Sequence, residues 1–122
     1  MEFFIRQTST EPKLKLKLID DGKNDRSSFN DLLETASITF EMFDVKTGYA
    51  QILNSSCYIT TRIKKYNFTT DEYYIIYQFT ESDTLIKGRF EGIITIQFVD
   101  TNSTPTTKLI VPIREKLYIN II

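Results

Sequence analysis

The chain has 122 residues, a length suited to a single domain with a sizeable core. Hydrophobic residues make up 41% and charged residues 25%, a globular balance that excludes wholesale disorder. The 15 Lys+Arg and 16 Asp+Glu leave a net charge of -1 with no long run of either sign. That argues against a dedicated nucleic-acid binder and against a polybasic membrane-surface protein, since both need a concentrated positive face.

Met1-Glu2-Phe3-Phe4-Ile5-Arg6-Gln7 has too short an apolar stretch for a signal peptide and lacks the basic opening. Extended, it places Phe3 and Phe4 on opposite sides. Lys13 to Leu18 alternates lysine with leucine, which predicts a strand with one face to the core and lysines suited to a sheet edge. Asp20 to Ser28 reads as a polar loop, and Phe29 to Ala36 as one or two helical turns with Leu32 and Leu33 inward. Ile38, Phe40 and Met42 mark the next inward face, followed by a hairpin turn at Asp44-Val45-Lys46-Thr47-Gly48. A short return strand spans Tyr49 to Leu53, with Asn54-Ser55-Ser56 as its break.

Tyr58 to Ile63 reads as a strand with Cys57, Ile59 and Ile63 on one side. A polar connection from Lys64 to Asp71 carries Tyr66 and Phe68. Glu72 to Thr80 is the strongest strand, with Tyr73, Ile75, Tyr77 and Phe79 on one face and Tyr74 and Ile76 on the other. Arg89 to Val99 is the longest, aligning Phe90, Ile94, Ile96 and Phe98. After a loop from Asp100 to Thr107, Lys108 to Ile113 and Leu117 to Ile122 complete the set, with Pro112 at an edge or bulge. The spacing of turns suits a sandwich or small barrel of about eight short strands. One domain, residues 1–122, is expected.

The chemistry-bearing residues give little purchase for catalysis. Histidine is missing, and with it the commonest acid-base group near neutral pH. The single cysteine, Cys57, allows neither an internal disulfide nor a thiol-based zinc site, and it fits a reducing compartment. No base stands near it to raise its thiolate fraction, so it reads as a small core residue. Asp20, Asp21 and Asp25 around Gly22 do not match the spacing of a calcium loop. Asp71 and Glu72 point to opposite faces of a strand and cannot share one substrate bond. The triplets beginning at Asn54, Asn67 and Asn102 fit the glycosylation pattern and read as chance matches. No catalytic residue, cofactor, metal, small-molecule substrate, nucleic acid or membrane partner is expected. No apolar run approaches the roughly 18 residues needed to span a bilayer.

Partner contact is the better expectation. Leu117 to Ile122 is apolar on both faces, and Tyr74 and Ile76 raise the same question. Phe3, Phe4, Tyr74, Ile76, Tyr118 and Ile122 are therefore the candidate interface residues. Residues 1–8 form a candidate docking arm, whose removal is expected to leave the domain folded but unable to assemble with its partner.

The segment from Leu32 onward resembles the immunoglobulin-like domain of phage virion proteins, notably the N-terminal domain of baseplate upper proteins and head- or tail-fibre adaptors. Four stretches carry the likeness: Leu32 to Met42, Asp44 to Gly48, Tyr77 to Gly92, and Leu109-Ile110-Val111-Pro112-Ile113. In the third, Asp83 is placed to accept backbone N–H bonds in a tight turn, Gly88 to let the chain reverse, and Phe90 to plug the end of the core. The layout is similar to a tyrosine corner, but the Phe90 ring has no hydroxyl, so the corner's hydrogen bond is expected to be absent. The resemblance implies an all-β, antiparallel immunoglobulin-like β-sandwich. It also implies a non-enzymatic virion component, assembled in the host cytoplasm in many copies against capsid, fibre or tail subunits. Baseplate upper proteins continue beyond this domain whereas the sequence stops at Ile122, which favours a capsid decoration or auxiliary head protein. A tail or baseplate adaptor is the nearest alternative, and a carbohydrate- or receptor-binding module using Tyr66 and Phe68 is the rival of another class.

Overall fold

The computed structural model describes residues 1–18, 36–63, 71–98 and 107–122. The helical turns before Ala36, the loops of 20–30 and 100–106, the acidic cluster around Gly22, and Tyr66 and Phe68 lie outside the described residues.

The described residues are all-β, with nine strands: β1 (Glu2–Ile5), β2 (Leu14–Leu18), β3 (Ser37–Asp44), β4 (Ala50–Ser56), β5 (Tyr58–Ile63), β6 (Asp71–Tyr77), β7 (Gly88–Phe98), β8 (Thr107–Val111) and β9 (Leu117–Ile121). They form two sheets. One has the order β1-β9-β7-β3-β4, with β8 also on β7, and the other is β2-β6-β5. β1 runs parallel to β9, and every other pairing is antiparallel.

The two sheets share one core, giving a β-sandwich-like fold. The smaller sheet contributes Leu14, Ile75 and Tyr77; the larger contributes Ile5, Phe40, Met42, Ile52, Phe90, Ile94, Ile96, Leu117, Ile119 and Ile121. Each is one member of a period-two pattern, so each strand turns alternate residues inward. Burying one such side chain contributes about 1.5–3 kcal/mol. Phe40 joins the layers: its ring lies 4.5 Å from that of Tyr77, and Phe79 meets it edge-on at 6.1 Å. Gly92 holds an inward position level with Met42 and diagonal to Phe40, where a Cβ would sit 3.0 Å from the Phe40 ring and 3.2 Å from Leu117. A glycine there lets the large ring occupy the centre of the sheet.

β7 is the spine of the larger sheet. β9 pairs with its first half and β8 with its second, from Gly88↔Ile121 to Phe98↔Thr107. Between them Pro112 to Lys116 loop out opposite Ile93, so Pro112 opens a bulge as the sequence suggests. Ile113 belongs to that bulge rather than to a strand, and Thr107 opens β8 rather than closing a loop.

The hairpin at Asp44 forms as its residues require. Gly48 adopts φ +75°, its N–H donates to the Asp44 carbonyl, and the Asp44 carboxylate accepts from the amides of Lys46 and Thr47. The return strand differs from expectation. β4 continues to Ser56, and Asn54 takes φ +50° within it. Asparagine tolerates that left-handed geometry, so the polar triplet bends the strand without ending it. The chain leaves the ladder at Cys57, whose amide donates to the Ile38 carbonyl, and continues as β5 in the other sheet.

Candidate partner interface

The candidate interface residues do not form one surface. Phe4, Tyr118 and Ile122 lie together on the outer side of the larger sheet. Phe4 is level with Asn120 on β9, between Tyr118 and Ile122 on that strand's outward side. Phe4 is 58% exposed and Ile122 59%. Tyr74 and Ile76 belong to β6 in the smaller sheet, whose order places them on the opposite side of the sandwich.

Two members require correction. Phe3 faces inward and stacks on Phe79 with ring centroids 5.7 Å apart, packing against the core. Ile76 is only 9% exposed. β6 is the central strand of its sheet, with Lys15 and Tyr58 in register on either side of Ile76. The half-buried Tyr74 has the Lys15 ammonium 4.2 Å from its ring centre.

Residues 1–8 also depart from the docking-arm expectation. β1 is a working strand whose Ile5 is 2% exposed in the core. Its Met1 and Ile5 carbonyls accept from the amides of Tyr118 and Ile122. The Gln7 amide donates to the Ile122 carbonyl, and that of Thr8 to the Thr84 carbonyl. Truncation would remove part of the core and uncover β9, so loss of assembly after it would not isolate a partner contact.

The outer side of the β1–β9 edge carries a polar cluster that the sequence did not suggest. Glu2 accepts from Arg89 through one oxygen and from Asn120 through the other, at 2.5 and 2.6 Å. The Arg89 guanidinium lies 4.0 Å over the Tyr118 ring. Arg89 and Asn120 are direct partners across β7 and β9, and β1 brings Glu2 alongside. The signal existed only as long-range register, which composition does not reveal.

At the end of the sandwich, Asp83 takes the role expected of it and one more. Its carboxylate accepts from the Thr80 amide at 2.9 Å and from the Tyr77 hydroxyl at 2.6 Å. The corner therefore has a tyrosine hydrogen bond after all, supplied by Tyr77 at the end of β6. Burial first, and the bond to Asp83 second, raise the Tyr77 hydroxyl above its ordinary range, so it holds its proton and donates it. Gly88 sits at φ +153°, and Phe90 is buried beneath it, with its ring 3.5 Å from where a Gly88 Cβ would lie. Thr84 is fully buried and donates to the Ser9 carbonyl, tying the corner to the segment after β1.

Beyond the corner stand Val45, Tyr49, Leu85 and Ile86, all exposed. Their loops are joined by bonds from the Val45 amide to the Arg89 carbonyl and from the Gln51 side chain to the Ser82 carbonyl. Cys57 is half-buried against the core, and burial pushes its thiol up to about 12. It is protonated at neutral pH and a poor nucleophile. Among the described residues, no group of His, Cys, Asp and Glu is arranged to hold a metal ion. No helix among them is long and apolar enough to cross a membrane. Comparison with protein-family models, curated proteins and solved structures finds no match.

Proposed function

We propose that the chain is a non-enzymatic structural component of a bacteriophage virion built on an immunoglobulin-like sandwich. Strand order supports the fold. β2-β6-β5 occupies the places of the B, E and D strands, and β9-β7-β3-β4 those of G, F, C and C′. β1 lies beside the last strand, and the chain crosses between sheets from β4 to β5. Fold alone does not select a role.

The observation that carries the role is the open β1–β9 edge. Phe4 and Ile122 stand exposed there beside an ordered Glu2–Arg89–Asn120 cluster. A partly apolar patch with a hydrogen-bonded polar margin suits contact with another protein. Repetition on a symmetric particle would let a modest contact hold by multivalency. Capsid decoration, or bridging from capsid to fibres, is the proposed place.

The test is co-expression with the structural genes that flank its own, followed by gradient sedimentation. The chain should travel with capsid shells, and Phe4→Asp with Ile122→Asp should release it. Travel with tails alone would move it to the adaptor role. Remaining at the top of the gradient with both would overturn the virion reading.

A further inference from the structure

We infer that the outer edge of β1 pairs with the β1 of a second copy of this chain, antiparallel and centred on Phe4. The inference uses the edge geometry and does not depend on the virion reading.

In β1 the backbone groups of the odd-numbered residues face β9, as the bonds at Met1, Ile5 and Gln7 show. Strand alternation turns those of Glu2 and Phe4 the other way, where no strand among the described residues pairs with them. Two of the other edges, β2 and β4, are guarded. β2 carries exposed Lys15 and Lys17, with exposed Lys13 just before it. β4 carries register shifts against β3 and the left-handed Asn54. Lysines and bulges are common means of blocking strand addition, and β1 has neither.

The sequence of this edge is self-complementary. Glu2, Phe4 and Arg6 occupy one side of the strand, with an acid and a base equally spaced about the ring. A twofold pairing sets Phe4 against Phe4 of the second copy and Glu2 against its Arg6, twice. The outward amides and carbonyls of the two Phe4 residues then bond each other, and each Arg6 amide meets a Glu2 carbonyl. Glu2 is already held in place by Arg89 and Asn120, and its carboxylate has lone pairs to spare for another cation. Arg6 is exposed and has no ion-pair partner among the described residues. A parallel or shifted pairing would place like charges together or leave Phe4 unmatched. The contact is short, so the dimer should be weak and concentration-dependent.

Sedimentation equilibrium of the full chain tests this. Wild type should pass from monomer to dimer as concentration rises, and added salt should oppose the change. Arg6→Glu sets acid against acid at both ends and should abolish it. Phe4→Pro removes an outward amide while sparing the β9 bonds, and it should also leave a monomer with the wild-type melting temperature. The register has its own readout. Directly opposed, hydrogen-bonded residues have Cα atoms about 5.5 Å apart, within disulfide reach. Phe4→Cys should therefore oxidise to a covalent dimer, and Phe4→Cys with Arg6→Glu should not. A wild type that stays monomeric throughout, an Arg6→Glu variant that dimerises like wild type, or cross-linking indifferent to Arg6 would each overturn the pairing.

Discussion

The two outer surfaces of the sandwich resolve the same sequence signal in opposite ways. Strands β6 and β9 both read as apolar on two faces. On β6 the outward Ile76 is buried, although it faces away from the shared core. Beside β9, Phe4 and Ile122 stand open. The difference is position in the sheet. β6 is flanked on both sides, and the long side chains of Lys15 and Tyr58 stand in register with Ile76. Among the described residues, β1 has a neighbour on one side only. Apolar residues on both faces of a strand therefore mark a partner site only where the sheet runs out of strands.

The sharpest way to break this comparison is within β1 itself. Ile5→Ala should lose about 2–5 kcal/mol in urea unfolding, because Ile5 belongs to the core. Phe4→Ala, one residue away, should stay within about 0.5 kcal/mol when measured on the monomer. Equal losses would erase the distinction between the strand's two sides. Across the molecule, Ile76→Ala should cost about 2 kcal/mol and Ile122→Ala almost nothing by the same measurement. A harmless Ile76→Ala would return the β6 face to the list of open surfaces.

The corner gives a smaller effect. Tyr77→Phe removes a hydroxyl bonded to a carboxylate and should cost about 1.5–3 kcal/mol at neutral pH. Its pH dependence follows from the direction of the shifts. Cys57 and Tyr77 both hold their protons more tightly folded than unfolded. Their stabilisation is complete below the ordinary values of 9.0 and 10.0 and is lost as pH rises toward the folded values, about 12 for Cys57. Thermal melts should weaken steadily above pH 9, and Cys57→Ala with Tyr77→Phe should flatten that decline. Smallest of all, Lys15→Ala should cost about 0.5–1 kcal/mol by uncovering Tyr74.

Much of the frame was legible because it is local. The alternation of Leu14 and Leu16 with lysines, the Phe90 to Phe98 stripe, and the Asp44–Gly48 turn each depend on neighbours in sequence. Asp83 was found for the same reason, since its turn contact lies three residues away. Its bond to Tyr77 was not legible, because that hydroxyl belongs to the preceding strand and reaches the turn only once β6 is in place. Asn54 misled because an Asn-Ser-Ser triplet has turn chemistry whether it ends a strand or only bends it. The interface set mixed inner and outer residues because Phe3 and Ile76 take their burial from strands distant in sequence. Only pairing such as β1 with β9, which joins residues 2–5 to residues 118–121, shows which apolar side chains stay uncovered.

Amide hydrogen exchange, followed residue by residue as protein concentration rises, tests the contrast most directly. The Phe4 amide should exchange quickly in dilute solution and slow as copies pair. The Ile76 amide, inside a three-stranded sheet, should be slow from the start and unchanged. Phe4 exchange that ignores concentration, or protection that grows at Ile76 instead, would contradict the assignment of the β1 edge as a surface this sandwich leaves for another molecule.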